Sequence, residues 1–115
     1  MVKISDGLLR SLEKPIILWL LFHKPRHGYE IIVEFKRLTG RKLKPSIVYP
    51  FLHKLEMEGF ANGKWIMKGN RKIRHYSLTK SGEELLQKVR EIFTLPIKEI
   101  FLDLIDKKKI VHKLT

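Results

Sequence analysis

The sequence predicts an α+β fold that is mostly α-helical. Three observations support this class: apolar residues recur every three or four positions over residues 8–60, the pattern becomes strand-like over residues 61–78, and helical spacing returns after Thr79. At 115 residues the chain can build one modest hydrophobic core but not two. It contains no cysteine, which excludes disulfides, thiolate catalysis and cysteine-ligated zinc.

The first 40 residues predict helices separated by a turn. Ser5 and Asp6 are candidate N-caps for a helical face of leucines, and the run Ile16–Phe22 is apolar on every side, as in a buried helix. The segment HKPRHG interrupts it, and a second helix follows from Gly28 until Gly40. We expect the buried face of this second helix to contain Tyr29, Ile32 and Val33.

The stretch KPSIVYPFLHKLEMEGF, residues 44–60, predicts a further helix even though it contains Pro50. Ser46 is a candidate N-cap, and Pro50 falls close enough to the helix start for its missing N–H to do little harm. The expected buried face consists of Val48, Leu52 and Leu55. The opposite face then presents side chains that packing alone does not require: Ser46, Tyr49, Pro50, His53, Lys54 and Met57.

A β-hairpin and a long helix are predicted to complete the chain. Two short strands, Lys64–Met67 and Ile73–Leu78, flank a turn at residues 69–70, where glycine and asparagine favour a tight reversal. Thr79 then caps a helix that runs nearly to the C-terminus, and Pro96 should kink or split it.

This order of elements predicts a winged helix-turn-helix with a long C-terminal dimerisation helix. Residues 1–78 would form the DNA-binding domain and residues 79–115 the helical dimerisation segment. In this architecture one helix of the motif supports the next, which enters the major groove, and the hairpin, or wing, reaches for the adjoining backbone.

The distribution of charge points to a polyanionic partner. The formal net charge is +12 and the isoelectric point is about 10.1. Residues 41–78 alone carry nine lysines and arginines against two acidic residues, so most of the excess falls in this middle third, which holds the basic link, the predicted third helix and the hairpin. A local positive field of this kind attracts phosphate polymers or anionic lipid.

Three segments resemble the signature regions of PadR-family transcriptional regulators, which are winged-helix DNA-binding proteins. They are ILWLLFHKPRHGYEI, PSIVYPFLHKLEMEGF and RHYSLTKSGEELL, and the resemblance covers roughly residues 15–90. It implies that the helix with the YP pair is the recognition helix and that the HGY segment approaches the backbone. Ile47 departs from the family pattern, and the short tail is similar to that of the small subgroup with a single C-terminal helix. On the matching positions, the resemblance implies DNA-site roles for His27, Gly28, Tyr29, Ser46, Tyr49 and Lys54.

Together, the helix face, the basic link and the hairpin give the predicted DNA-binding set. Basic and polar side chains can contact phosphates or base edges. Trp65 and Tyr76 are expected to seat the hairpin on the helices, although they could instead stack on bases of a single strand. The set comprises His27, Gly28, Tyr29, Lys44, Ser46, Tyr49, His53, Lys54, Lys68, Asn70, Arg71, Lys72 and Arg74.

The last helix carries more apolar surface than one small domain can cover, which predicts a homodimer. The alternative is that this helix folds back on its own domain. A small aromatic effector, known for some relatives, could contact Trp19, Phe93 and Phe101, although aromatic residues there also suit an ordinary core. The predicted dimer interface comprises Leu86, Val89, Phe93, Ile97, Ile100, Phe101 and Leu104.

Other classes of function find little support in the sequence. His23 and His27 have a metal-binding spacing, but the intervening KPR segment argues against a metal site, and no cofactor is expected. No nucleophile elbow, phosphate-binding loop or acid–base pair is visible, so we do not expect an enzyme.

The predicted function is therefore a sequence-specific, double-stranded DNA-binding transcriptional regulator, acting as a dimeric repressor. The absence of a signal-peptide layout or an apolar run long enough to span a membrane predicts a cytoplasmic location. The alternative is a winged-helix module that binds protein or RNA. Binding to a membrane surface is disfavoured because the basic residues lie on a hairpin.

Overall fold

Three helices, a two-stranded hairpin and two further helices follow one another along the chain. The computed structural model describes residues 10–95 and 97–106, except for the side chains of residues 97, 98 and 101. Ser5 and Asp6, the predicted N-caps, lie outside the described residues. The elements are α1 (Glu13–His23), α2 (Gly28–Thr39), α3 (Pro45–Met57), β1 (Ala61–Lys68), β2 (Arg71–Leu78), α4 (Lys80–Thr94) and α5 (Ile97–Ile105). This order confirms the predicted winged-helix architecture.

The core is built around α1, whose side chains are apolar on nearly every side. This helix contacts the helices α2 and α4 and the strand β2, so it is covered by helices and by the hairpin. Its most buried residues are Ile17 and Leu20, neither of which is exposed to solvent. The other elements surround them with Ile31, Phe35, Leu43, Val48, Leu52, Leu55, Ala61, Tyr76 and Leu86.

The inward face of α2 differs from the predicted one. Ile31 and Phe35 are buried, whereas Tyr29 is 60% exposed and Val33 is 51% exposed. Each residue along an α-helix is rotated by roughly 100° from the previous one. An error of one or two residues in the predicted inward positions therefore places the predicted face in solvent. Of the three predicted core positions, Ile32 alone packs against the core, and it is only partly buried.

Helix α3 begins differently from the prediction but buries the predicted face. Its N-cap is Lys44, which makes no side-chain capping bond, and Pro45 occupies the first turn. The prediction of Ser46 as N-cap is therefore wrong, because proline has the required φ and lacks an N–H that would need a partner. The buried residues Val48, Leu52 and Leu55 confirm the predicted orientation.

The hairpin is longer than predicted and is anchored at its base. Its antiparallel register runs from Ala61 opposite Leu78 to Lys68 opposite Arg71, and Gly69 supplies the positive φ of 64° at the turn. Arg26, in the turn between α1 and α2, exchanges two backbone hydrogen bonds with Tyr76 of β2: the amide of Arg26 donates over 3.0 Å and that of Tyr76 over 2.9 Å. These bonds tie the base of the hairpin to the helices.

The C-terminal helical region is divided, as the proline predicted. Helix α4 ends at Thr94 and α5 starts at Ile97, while Pro96 itself lies outside the described residues. The Thr79 hydroxyl accepts from the amide of Gly82 over 3.1 Å and donates to the Gly59 carbonyl over 2.6 Å, which confirms the predicted cap. Among the residues that the structure describes, no helix is both long and apolar enough to cross a bilayer.

Gly82 allows the first turn of α4 to approach the link between α3 and β1. A Cβ atom at this position would lie 3.1 Å from the Phe60 carbonyl carbon, closer still to its oxygen, and 3.0 Å from Leu78 Cδ2. We expect Gly82→Ala to lower the free energy of unfolding by about 1–3 kcal/mol, because backbone must move to admit the methyl group. Denaturant unfolding measures this, with the exposed neighbour Ser81→Ala as control. Equal stability of Gly82→Ala and wild type would contradict the close packing.

Candidate nucleic-acid interface

An open cleft of about 920 Å³ lies between the starts of α2 and α3 and the hairpin. It brings together residues far apart in the sequence, and eight of the thirteen predicted DNA-binding residues line it. Those eight are His27, Gly28, Tyr29, Tyr49, Lys68, Arg71, Lys72 and Arg74. The other five are exposed outside the lining of this cleft: Lys44, Ser46, His53, Lys54 and Asn70.

The exposed face of α3 borders this cleft. Ser46, His53, Lys54 and Met57 are exposed, and Tyr49 is about half exposed while lining the cleft. Because the opposite face of the same helix fills the core, these polar groups are carried on a rigid element. The face can therefore present hydrogen-bond donors and acceptors to a partner without any loss of core packing.

Gly28 and Tyr49 pack against each other at the contact of α2 with α3. A Cβ atom at Gly28 would lie 2.8 Å from Tyr49 Cζ and closer still to Cε1, so only glycine admits the ring. The resemblance implied that both residues belong to a DNA site, but nothing in their spacing indicated that they touch. Gly28 thus contributes by determining where the Tyr49 ring lies.

His27 caps the start of α2. Its Nδ1 accepts from the amide of Glu30 over 3.3 Å, and its own amide donates to Glu30 Oε1 over 3.2 Å, which makes a reciprocal capping box. Burial lowers the pKa of His27. The Glu30 carboxylate opposes this shift in the pKa, and nearby His75, Lys68 and Arg71 act in the same direction as burial, so that the net change is downward. His27 therefore stabilises the element that carries Tyr29, a role that the sequence did not indicate.

His27, Glu30 and His75 form a cluster that could be considered for a metal ion. The Nε2 atoms of His27 and His75 lie 3.2 Å and 3.5 Å from Glu30 Oε1. However, Nδ1 of His27 accepts an amide hydrogen, so in the neutral ring Nε2 carries the proton, the opposite of what a metal at Nε2 requires. The neighbouring cations Lys68 and Arg71 also oppose a cation here, and the hydrogen bonds fit a helix cap better.

The tip of the hairpin presents a group of cations to solvent. Lys68, Arg71 and Lys72 are exposed and line the cleft, and Asn70 lies at the turn between them. Arg74 differs from them, because its guanidinium is bound to the Glu56 carboxylate of α3. It is not a free cation, and nothing in the hairpin pattern indicated that pairing.

The two aromatic residues of the hairpin behave differently from each other. Tyr76 is buried in the core, as predicted, and seats the base of β2 on the helices. Trp65 was expected to do the same, but it is 61% exposed and lies in the cleft, with its ring 5.1 Å from the Arg74 guanidinium carbon. The expectation is wrong for Trp65, whose ring lies beside the Arg74 guanidinium and outside the core.

The predicted dimer interface falls into three parts. Leu86 is only 5% exposed and belongs to the core of its own domain, so its assignment to an interface is wrong. Val89 is half-buried, whereas Phe93, Ile100 and Leu104 are exposed. The side chains of Ile97 and Phe101 lie outside the described residues.

Trp19 and Phe93, two of the predicted effector-contacting residues, are both partly exposed. The Trp19 ring packs edge-on against His23 of its own helix, with 4.2 Å between ring centroids. The third such residue, Phe101, has no described side chain, so the effector remains a prediction.

Comparison with known families assigns the chain. The model of the transcriptional regulator PadR-like family matches residues 17–88. The chain belongs to this family. The matched segment spans α1 to the first half of α4, and therefore includes the cleft, α3 and the whole hairpin. PadR-like proteins are transcriptional regulators, so the resemblance seen in the sequence is confirmed. A comparison with curated protein sequences finds no significant match.

Solved structures show the same fold. A candidate transcriptional regulator from Thermoplasma acidophilum is 26% identical, with a TM-score of 0.70 over 85% of this chain and 95% of that one. A PadR-like regulator from Bacillus cereus gives 0.73 at 18% identity, over 88% and 99% of the two chains. PadR from Bacillus subtilis, solved in complex with operator DNA, is 34% identical with a TM-score of 0.60. The match covers 68% of this PadR-like chain and 45% of that protein.

The partly buried His27 cap predicts that the protein loses stability in mild acid. Because the folded-state pKa of His27 lies below its ordinary value of 6.5, the unfolded chain binds the proton more tightly. Neutral His27 makes its full contribution to the free energy of unfolding above pH 6.5. This contribution decreases as the pH drops below 6.5 and stops changing once the pH is below the folded-state pKa.

We therefore expect the unfolding midpoint to decline from about pH 8 to about pH 5, in part through His27. His27→Asn keeps a capping acceptor but cannot titrate, so its decline should be shallower. The exposed His53→Asn serves as the matched control and should keep the wild-type profile. Parallel profiles for His27→Asn and wild type would refute the assignment.

Proposed function

We propose that the chain is a sequence-specific, double-stranded DNA-binding transcriptional regulator that acts as a dimeric repressor. The observation that carries the proposal is the cleft, where Tyr49 from the exposed face of α3 and the cations of the hairpin line the same open space. A duplex lying there could meet both elements at once, with α3 in the major groove and the wing on the adjoining backbone.

The side chains of α3 suit a division between positioning and base recognition. Ser46 and Tyr49 carry hydroxyls that can donate to phosphate oxygens. His53 and Lys54 lie further along the exposed face and can reach base edges or backbone. Lys44 immediately precedes the helix start, where the positive end of the helix dipole also favours a phosphate.

The wing suits contact with the backbone irrespective of sequence. Lys68 stands directly opposite Arg71 in the strand register, and Lys72 follows on the same strand. Like charges placed this closely repel one another unless a polyanion neutralises them. A phosphate chain supplies that neutralisation, and Asn70 at the turn adds polar hydrogen-bonding groups.

The relative with a solved DNA complex supports this function. PadR from Bacillus subtilis was determined with operator DNA, and the matched portion of that protein is 34% identical to the present chain. The family consists of transcriptional regulators, which agrees with the expectation that the chain is not an enzyme. Regulation of transcription also agrees with the cytoplasmic location predicted from the sequence.

Dimerisation is proposed through the C-terminal helices. Phe93, Ile100 and Leu104 expose apolar surface that a monomer leaves in contact with water. Twofold symmetry would also present two copies of α3 to successive turns of the duplex. Residues 79–115 would thus dimerise and residues 1–78 bind DNA, although the buried Gly82 and Leu86 join the start of α4 to the core of the DNA-binding unit.

DNA binding is tested by selecting bound fragments from genomic DNA and measuring affinity for the selected site against salt concentration. If a dimer neutralises about eight phosphates, the logarithmic slope should be roughly −7. Lys54→Ala should weaken binding by about 1–3 kcal/mol if Lys54 contacts a base. Arg71→Ala with Lys72→Ala should weaken binding to all sequences and reduce the slope by about 2 per subunit.

Lys88→Ala is the matched control, since this exposed lysine of α4 does not line the cleft. Failure of the wild type to bind any duplex, together with salt-insensitive association with a protein, would replace this proposal by the interaction-module alternative. Wild-type affinity in both the α3 and the wing variants would remove the proposed surface.

The dimer is tested by sedimentation at micromolar concentration. We expect twice the monomer mass of 13.7 kDa. Leu104→Asp should shift the protein towards monomer, because burying a carboxylate in an apolar interface is unfavourable. Ser81→Asp, at an exposed position of α4 outside the proposed interface, adds the same charge and should leave the protein dimeric. A wild type that sediments as a monomer would show that the last helices do not dimerise the chain.

A further inference from the structure

Helix α3 and the wing are joined midway along the hairpin by an ion pair. Arg74 Nε donates to Glu56 Oε1 over 3.2 Å, and Arg74 Nη2 contacts Oε2, so the pair is bidentate. Both side chains are about one quarter exposed, at 26% and 27%. We call Glu56, Arg74 and their close neighbour Gly63 the Glu56–Arg74 clasp.

The surroundings hold the Arg74 guanidinium in one orientation. Trp65 stands directly opposite Arg74 in the strand register, with its ring 5.1 Å away, and the Tyr76 ring lies at 5.9 Å. A planar guanidinium that contacts aromatic rings and forms two parallel bonds to a carboxylate is restricted both in position and in rotation. A lysine could not reproduce this arrangement.

Gly63 is the third part of the clasp. A Cβ atom there would lie 2.6 Å from Glu56 Oε1 and 2.6 Å from Arg74 Nη2, so any side chain would displace the ion pair. Glycine within a strand weakens it and commonly marks a close approach of other groups. Here the approaching groups are the two charged side chains, which accounts for a glycine in the middle of β1.

The carboxylate also needs a partner because of where it lies. Glu56 belongs to the segment of residues 41–78, where nine basic residues face only two acidic ones. An unpaired carboxylate on the helix that faces a phosphate chain would repel it. The hydrogen bonds from Arg74 hold the pKa of Glu56 below its ordinary value of 4.5, so it is charged, and its charge is neutralised within the protein.

We propose that Glu56, Gly63 and Arg74 are positioning residues that fix the angle of the wing on α3, so that the tip cations and the exposed face of α3 meet the same duplex. The inference rests on the proposed function. The base of the hairpin is held by the Arg26–Tyr76 bridge, and Arg71 at the tip is three residues beyond Arg74, or roughly 10 Å. Without the clasp, the distal part of the hairpin can pivot about its base, and the tip cations then move away from the DNA backbone.

The test is a double-mutant cycle between the clasp and the tip. Gly63→Ala disrupts the clasp without removing any charge, and Glu56→Gln weakens it without changing its shape. Each should lower affinity for the selected operator by about tenfold and make the salt slope shallower, because the tip phosphates are lost. In either background, adding Arg71→Ala and Lys72→Ala should cost little further affinity, since the tip no longer contacts the duplex.

Two controls separate positioning from simple loss of fold. Asn62→Ala changes an exposed neighbour on β1 and should bind like the wild type. Each variant is also checked for an intact unfolding transition, and Glu56→Gln carries the test if Gly63→Ala does not fold. In a Trp19→Phe background the remaining tryptophan, Trp65, reports the clasp through its fluorescence, which Gly63→Ala should change and Asn62→Ala should not.

The possible outcomes distinguish a failure of the clasp inference from a failure of the proposed DNA-binding function. If the wild type binds no duplex, the proposed function fails. If the wild type binds and the clasp variants keep its affinity and salt slope, the clasp does not position the wing. Losses that add fully with those of the tip variants would also overturn the inference, because Arg74 or Glu56 would then act independently of the tip.

Discussion

Burial of α1 is the constraint on which the other elements depend. With apolar side chains on nearly all sides, this helix must bury most of its surface, and α2, α4 and β2 cover it. Trp19 and Phe22 of this helix stay about half exposed. Apolar burial of this kind supplies the main favourable term in folding. It leaves α3, packed on α2 and β1, with one face in the core and one face in solvent. The available recognition surface thus follows from how the central helix is covered.

Close approach between elements then determines the geometry of that surface. Gly28 admits the Tyr49 ring, Gly63 admits the ion pair, and Gly82 admits the Phe60 backbone in the link between α3 and β1. Each contact joins two elements around the cleft or its base. The relative placement of the elements in this small domain therefore depends on glycines, which have no side chain, as much as on the residues that pack against them.

Local patterns were sufficient for the order of elements, the buried face of α3, the cap at Thr79 and the division at Pro96. They failed for α2, where the wrong side of a helix was selected, because Tyr29 and Val33 are apolar enough to suit either side. They also failed for the start of α3, where proline replaced a side-chain cap. Propensity and period describe neighbours in sequence, and so they could not predict that Arg74 pairs with a carboxylate eighteen residues away.

The candidate site was predictable as a set of residues but not as an arrangement. The family resemblance and the charge distribution indicated most of the cleft lining. They gave no sign that His27 is occupied by a capping box or that Trp65 is exposed. The capping box is local to His27 and Glu30, but histidine is not among the usual N-cap residues. The exposure of Trp65 depends on where the hairpin lies on the helices, which only the folded chain determines.

The exposed face of α3 has a consequence for how such a regulator can diversify. Ser46, His53, Lys54 and Met57 contribute nothing to the buried core, so they can be exchanged with little effect on folding. Tyr49 is different, because its ring carbons pack against Gly28 and a replacement without an aromatic ring would leave a gap beside the glycine. If α3 reads the operator as proposed, new operator preferences require only a few substitutions on one helix, while the tyrosine keeps the helix in register with α2.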